Sequence, residues 1–389
     1  MFISSHLPHY FSFRINREVR EIYWHTAIYN LALAIVYIFE PIYLYKLGYS
    51  LADILAFFCE IYVAYAILVF LGAKIASKIG YKHSILISSV FYICYWLTLV
   101  GIAKIGWLFY LSPVMFALQK SFFWPAYHAD IAINSLHQQR GREVGVLFSL
   151  IELAMIAGPL IGGLVSYIFG FWILFATGSI LLLSSLIPLF RSADIHNHHE
   201  FRLKDFLLVL KRHKTNFFGY WGYAEDLMLG TLWPVYIFLV VPYFVLVGAV
   251  TTVASLVGSV LMLYLGKLAD KIKRTLLIKI SSVFYGFTWM FRFLAATPPL
   301  VVVFDVLTRI GKGMVNIPMV SLTYDLAGSR TTDYAIAYSV FYEFSLSIAK
   351  IFTTLVGIWI LTKTGNVQYV FILAGVLTMF YGFLKDKKK

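Results

Sequence analysis

The chain has 389 residues, of which 60% are hydrophobic and 13% charged, and its mean hydropathy is +0.80. A water-facing surface carries about 25% charged residues, so a soluble globule is excluded. The formal net charge of +13 would suit a nucleic-acid partner only if the basic residues formed a patch, and they do not.

The first twenty residues set Phe11, Phe13, Ile15 and Val19 among arginines. They read as an interfacial lead-in rather than a cleaved signal. Apolar runs long enough to cross a bilayer then follow at 22–45, 52–73, 84–103, 107–129, 144–168 and 171–190. After a linker at 191–216, rich in His and charge, six more stand at 217–241, 243–265, 276–296, 299–324, 334–361 and 367–384. The expected fold is therefore an all-α polytopic membrane protein. Its twelve transmembrane helices would form an N-terminal half, 1–190, and a C-terminal half, 217–389, joined by that linker.

Twelve crossings place both termini on one side. Of the 32 Lys and Arg residues, 24 fall in loops of that side, three (Lys46, Lys104, Lys363) in opposite loops, and five inside spans. Positive residues in short loops stay in the cytoplasm, so both termini are expected there, in a plasma or inner membrane. Topology and contact with anionic membrane lipids account for the basic excess, and no nucleic-acid partner is implied. Cys59 and Cys94 lie in apolar runs and read as packing residues. His196, His198, His199 and Glu200 in the linker lack a second ligand set, so no metal and no cofactor is expected. No hydrolase, zinc-protease or phosphate-loop pattern occurs, which argues against an enzyme.

The chain matches itself at an offset of 193. Glu40-Pro41-Ile42-Tyr43-Leu44-Tyr45 lies over Trp233-Pro234-Val235-Tyr236-Ile237-Phe238, Pro125 lies over Pro318, and Ala73–Ile79 over Gly266–Ile272. Two six-helix halves related by an axis normal to the membrane are a known transporter construction. On these residues the chain resembles the major facilitator superfamily over about 22–384. The family's loop after its second helix, GxLaDrxGrkr, stands here as Ala73, Ile75, Ala76, Ser77, Lys78, Gly80, Tyr81 and Lys82, without the acid and the first glycine. The second-half copy keeps Gly266, Leu268, Ala269, Asp270, Lys271 and Arg274. An acid at such a turn can accept from helix N-terminal amides and basic neighbours, so Asp270 and Lys271 are candidate gate residues, and so is Ser77, which can cap a helix but carries no charge. In the fifth span Ala154, Gly158, Pro159, Gly162 and Gly163 stand in a gxxxGPxxGG pattern, which the family associates with exporters and which also fits a plain tight crossing.

Charges inside the membrane must pair, face water or act. Glu225 and Asp226 lie near the midplane of the seventh span, and Asp305, Arg309 and Lys312 share one face of the tenth, where the first two can pair. The resemblance implies that the first, fourth, seventh and tenth helices line a central cavity. That adds Tyr29, Asn30 and Tyr37 of the first helix and Gln119 and Lys120 of the fourth as wall residues. Glu225 and Asp226 cannot both face the cavity, as helix neighbours point about 100° apart. A poorly solvated carboxyl suits a proton carrier, so proton coupling is expected at one of them. Glu60, Glu152 and Glu343 fall where the halves would slide past each other, with a Glu60 to Lys350 contact as one option. His128 and Asp130 read as a hydrated helix end.

The function expected is secondary active transport of a small organic solute by alternating access, as a monomer, with export by proton exchange favoured. The competing expectations are a proton symporter importing a nutrient, a lipid scramblase or flippase, and a transport-inactive sensor.

Overall fold

The computed structural model describes residues 17–134, 140–191, 200–269 and 272–386, and every regular element among them is helical. The first crossing is α1 (Arg17–Val36), a turn at Tyr37 and Ile38, and α2 (Phe39–Lys46). Then come α3 (Leu51–Ile79), α4 (Tyr81–Gly101) and α5 (Leu108–Asn134). Ser50 caps α3 by accepting from the Asp53 amide at 3.2 Å while Asp53 accepts from the Ser50 amide at 3.0 Å, a reciprocal box that satisfies two orphan donors. Gly80 ends α3 at φ +95, a conformation open to glycine and strained for other residues, so the motif glycine is needed for the sharp return into α4.

The fifth and sixth crossings form one 45-residue element, α6 (Arg140–Ser184). At 1.5 Å per residue it would run roughly 67 Å, twice a bilayer core, so it has to reverse. It does so at Gly170, φ +78, between the two expected spans. After α7 (Leu186–Leu189), the linker holds α8 (Leu203–Arg212), which buries Phe206 and Val209 and leaves Leu203, Leu207 and Leu208 exposed.

The seventh crossing is broken into α9 (Lys214–Gly219), a 3-10 stretch (Tyr220–Ala224), α10 (Glu225–Gly230) and α11 (Leu232–Val240). The rest are α12 (Phe244–Ala269), α13 (Arg274–Met290) with a 3-10 end, α14 (Pro298–Ala327), α15 (Thr332–Thr364) and α16 (Gln368–Thr378), also with a 3-10 end. The repeated prolines explain the matching breaks. Pro41 and Pro234 lack the amide that would continue the ladder, so each sits in the first turn of a new short helix, and α2 and α11 then pack together across the halves.

Among the described residues, six helices are long and apolar enough to cross a membrane by length and composition alone. The seventh crossing fails that measure because it is broken, and α14 carries Asp305, Arg309 and Lys312. The surface is apolar where it meets lipid, with Ile67, Ile180, Leu256 and Trp359 exposed, while Arg292, Glu225 and Asp305 are buried.

Candidate functional site

The polar residues between the halves form three layers. The layer nearest the face that carries both termini joins four helices. His128 of α5 sits with Nε2 2.9 Å from Glu343 Oε1 of α15 and Nδ1 2.8 Å from the Tyr324 hydroxyl of α14. Tyr65 of α3 donates to the other Glu343 oxygen at 3.0 Å. All four side chains are buried, so each hydrogen bond spans the two halves out of water. His128 is thus no hydrated helix end. With Tyr65 it is what the first half brings to this contact, and Glu343 is the acid that receives both.

The linker seals this layer from outside. The Phe201 amide donates to the Ser77 hydroxyl at 3.2 Å, the Glu200 amide donates to Asp333 at 3.2 Å, and Phe206 packs edge-on against Phe70 and Phe344, one from each half. The expected capping role of Ser77 is therefore corrected. Gly80 stands at the start of α4 without a side-chain cap, and the buried Ser77 hydroxyl, freed of that task, holds the linker. Lys78 is exposed. Asp270 and Lys271 lie outside the described residues, as does the His196, His198, His199 cluster, and Gly266 is described only as backbone of α12.

The middle layer carries the charge. Asp226 of α10 accepts a hydrogen bond from Lys312 Nζ of α14 and another, at 3.3 Å, from Lys350 Nζ of α15. Lys350 also donates to the Tyr62 hydroxyl of α3 at 3.1 Å, and its ammonium lies 4.7 Å from the Tyr62 ring and 5.2 Å from the Tyr223 ring. Lys120 of α5 faces the same Tyr62 ring at 5.5 Å and the Phe116 ring at 4.6 Å. Counted along their helices at 1.5 Å per residue, Lys120, Lys312 and Lys350 each stand roughly 20 Å from the end remote from the termini, so they share one depth. The Asp226 side chain is 33% exposed although Ala224, Leu227 and Met228 around it are buried.

Beside this group Asp305 is a buried hub. It accepts from Arg309 at 3.2 Å, as their spacing of four predicts, from Trp233 at 3.0 Å and from Arg292 at 3.5 Å. The Arg292 guanidinium is fully buried between the rings of Trp233 (3.8 Å) and Trp289 (4.0 Å). Glu225 points away from Asp226, as the helix geometry requires. One of its oxygens accepts from the Tyr285 hydroxyl at 2.7 Å, and the other has no partner among the described residues.

Three expected wall residues do not reach these charges. Gln119 donates to the Tyr29 hydroxyl at 3.2 Å, Tyr29 stacks on Phe123, and Asn30 donates to the Thr26 carbonyl one turn back. Each satisfies itself inside its own half, as a polar group in an apolar setting must. Tyr37 does reach the second half, where its ring packs on Gly230 of α10. The optional Glu60 to Lys350 pair is replaced by the Asp226 pair, which is nearer the interior, and Glu60 is half-buried.

The third layer is backbone packing toward the opposite face. Gly158 and Gly162 let α6 lie against Ala34 and Ile35 of α1, while Gly163 meets the Phe244 backbone and the Pro159 carbonyl meets Gly248, both on α12. The GPxxGG residues thus close one crossing within the first half and one between halves. Glu152, a turn and a half earlier, accepts from Ser259 of α12 at 3.4 Å.

Sequence reasoning missed Lys350, Tyr62 and Tyr223 as members of the central group and Arg292 as the partner of Asp305. For Lys350 the signal was present, a lysine at mid-depth in an eleventh span, which needs an acid somewhere. Nothing in the residue order says that the acid is Asp226.

The family model described as Major Facilitator Superfamily matches residues 22–246 and again 224–387. No curated protein matches by sequence. Among solved structures, the chain is similar to a variant of the E. coli fucose:proton symporter FucP, at 12% identity and a TM-score of 0.65, covering 94% of this chain and 96% of that one. It is also similar to the human organic anion transporter MFSD10, at 14% identity and a TM-score of 0.65, covering 95% of this chain and 99% of that one. At these identities the likeness is one of fold.

Proposed function

Because the chain belongs to the major facilitator superfamily, we propose that it is a proton-coupled secondary transporter that moves a small organic solute around the Asp226 group by rocking its two halves. The observation that carries this reading is Asp226 held by Lys312 and Lys350 at mid-depth while a third of its side chain stays exposed. Ionisable groups at that depth are rare and mark solute and ion paths, and midplane sites between repeats are where such carriers bind. The terminal closure at His128 and Glu343 and the opposite seam at Pro159 and Gly248 supply two barriers, one on each side of the group. Opening them in turn is alternating access. The concentration of basic residues on the terminal face supports its being cytoplasmic.

Glu225 is the group we assign to the proton. It is fully buried, no cation among the described residues is within ion-pair distance of it, and Asp226 next to it is occupied by two lysines. Export in exchange for protons is the direction we favour, on the fifth-crossing motif that the family associates with exporters. The test begins with a thermal-shift screen of purified protein against a metabolite and drug library, since a ligand of the folded state raises its apparent stability. A hit is then followed in proteoliposomes under an imposed pH gradient. Flux that persists unchanged with a proton ionophore, or in Glu225→Gln, refutes the coupling.

A further inference from the structure

The basic side chains of the central group are unequally paired. Lys120, Arg309, Lys312 and Lys350 stand in the middle layer with Arg292 beside it, and among the described residues the carboxylates within ion-pair distance of them are Asp226 and Asp305. Asp305 is shared by the two arginines and Asp226 by two lysines. Arg292 is further compensated by two tryptophan faces. Lys120 has no carboxylate within ion-pair distance among the described residues, only the rings of Phe116 and Tyr62. Tyr62 also holds Lys350 through its ring and its hydroxyl. Two ammonium groups, one from each half, therefore lie within 5.5 Å of one tyrosine ring, and of the two only Lys350 has a carboxylate within ion-pair distance among the described residues.

We propose that the transported solute is an organic anion whose carboxylate, sulfonate or phosphate group sits between Lys120 and Lys350, with Asp226 as the built-in counter-ion that it displaces. This rests on the central site proposed above. The organic part follows from the remaining wall. Tyr62, Phe116 and Tyr223 surround the ammonium groups, and Tyr37 packs on Gly230 at the edge of α10, so the body of the ligand meets rings rather than polar groups. The two cationic helices α5 and α15 belong to different halves, so an anion bound to both draws them together. Asp226, joined only to lysines of its own half, cannot do so.

The experiment uses the purified full chain in a low-chloride buffer and four matched aromatic probes, benzoate and phenyl phosphate against benzamide and benzylamine, with sodium chloride as a fifth arm. Benzoate and phenyl phosphate should raise the melting temperature, and the amide, the amine and chloride should not. Lys120→Gln should weaken the anions at least tenfold, while Lys120→Arg, which keeps the charge, should restore binding to within a few-fold and show that the position tolerates change. Asp226→Asn should tighten the anions several-fold, because the competing carboxylate is gone. A stabilisation equal for benzamide or benzylamine, stabilisation by chloride alone, no stabilisation by either anion, unchanged affinity in Lys120→Gln, or lost affinity in Asp226→Asn would each overturn the proposal. Counterflow in proteoliposomes separates it from the transport reading. Protein that accumulates benzylamine but not benzoate is a transporter without this anion site, and protein that binds benzoate but moves no probe has the anion site without the transport.

Discussion

Gly248 is the position where one added carbon should change which way the protein opens. A Cβ built there falls 2.2 Å from the Pro159 carbonyl oxygen and 2.8 Å from its carbon. An ordinary carbon to oxygen contact is about 3.3 Å, so α6 and α12 would have to part by roughly 1 Å. Overpacking of this size costs about 1–3 kcal/mol. If the seam exists only while this face is closed, the whole cost falls on the closed state. Gly248→Ala then shifts the population toward opening at the face remote from the termini by ~5- to 150-fold. The assay is the labelling rate of Tyr37→Cys by a membrane-impermeant maleimide, with Cys59 and Cys94 replaced by serine, because Tyr37 lies beneath that closure against Gly230. Gly72→Ala is the control. Its Cβ would meet the Ser121 carbonyl at 2.0 Å, but α3 and α5 belong to one half, so stability should fall without a change in labelling. Labelling of Gly248→Ala within about twofold of the parent would show the seam to be static packing and refute the reasoning.

The terminal closure makes the converse prediction. His128→Ala removes buried hydrogen bonds to Glu343 and Tyr324, a loss of about 1.5–3 kcal/mol for a bond to a charged group, and should raise labelling of Val320→Cys from the terminal face by ~10-fold or more. An unchanged rate would remove His128 from the closure. Arg292→Lys keeps the charge but loses the planar stack between Trp233 and Trp289, and should destabilise by about 2 kcal/mol in thermal unfolding followed by tryptophan fluorescence. A melting temperature equal to the parent's would mean that the sandwich contributes nothing.

The twelve crossings were legible because lipid imposes a length and a composition that the chain must meet locally, and the halves because a duplication leaves its offset in place. Gly170 falls between the two spans expected on either side of it, and Asp305 and Arg309 pair as a spacing of four allows. Neighbours across helices were not legible. Asp226 and Lys350 are 124 residues apart and His128 and Glu343 215 apart, and their meeting depends on how whole helices cross. The same gap explains Tyr29, Gln119 and Asn30. Their position in a lining helix suggested the cavity, but a hydrogen bond within reach in their own half decided where they point.

The breaks in the seventh crossing have a kinetic corollary. α10 is six residues long, about 9 Å, with a 3-10 stretch before it and Thr231 out of helical geometry after it. Asp226 is mounted on this segment, while α11 beyond it stays docked against α2. A carboxylate on so short a segment would reorient on the nanosecond-to-microsecond scale of short segments, faster than thirty-residue rods move. Exchange of partners at the lysines would then be uncoupled in time from the rocking motion proposed above.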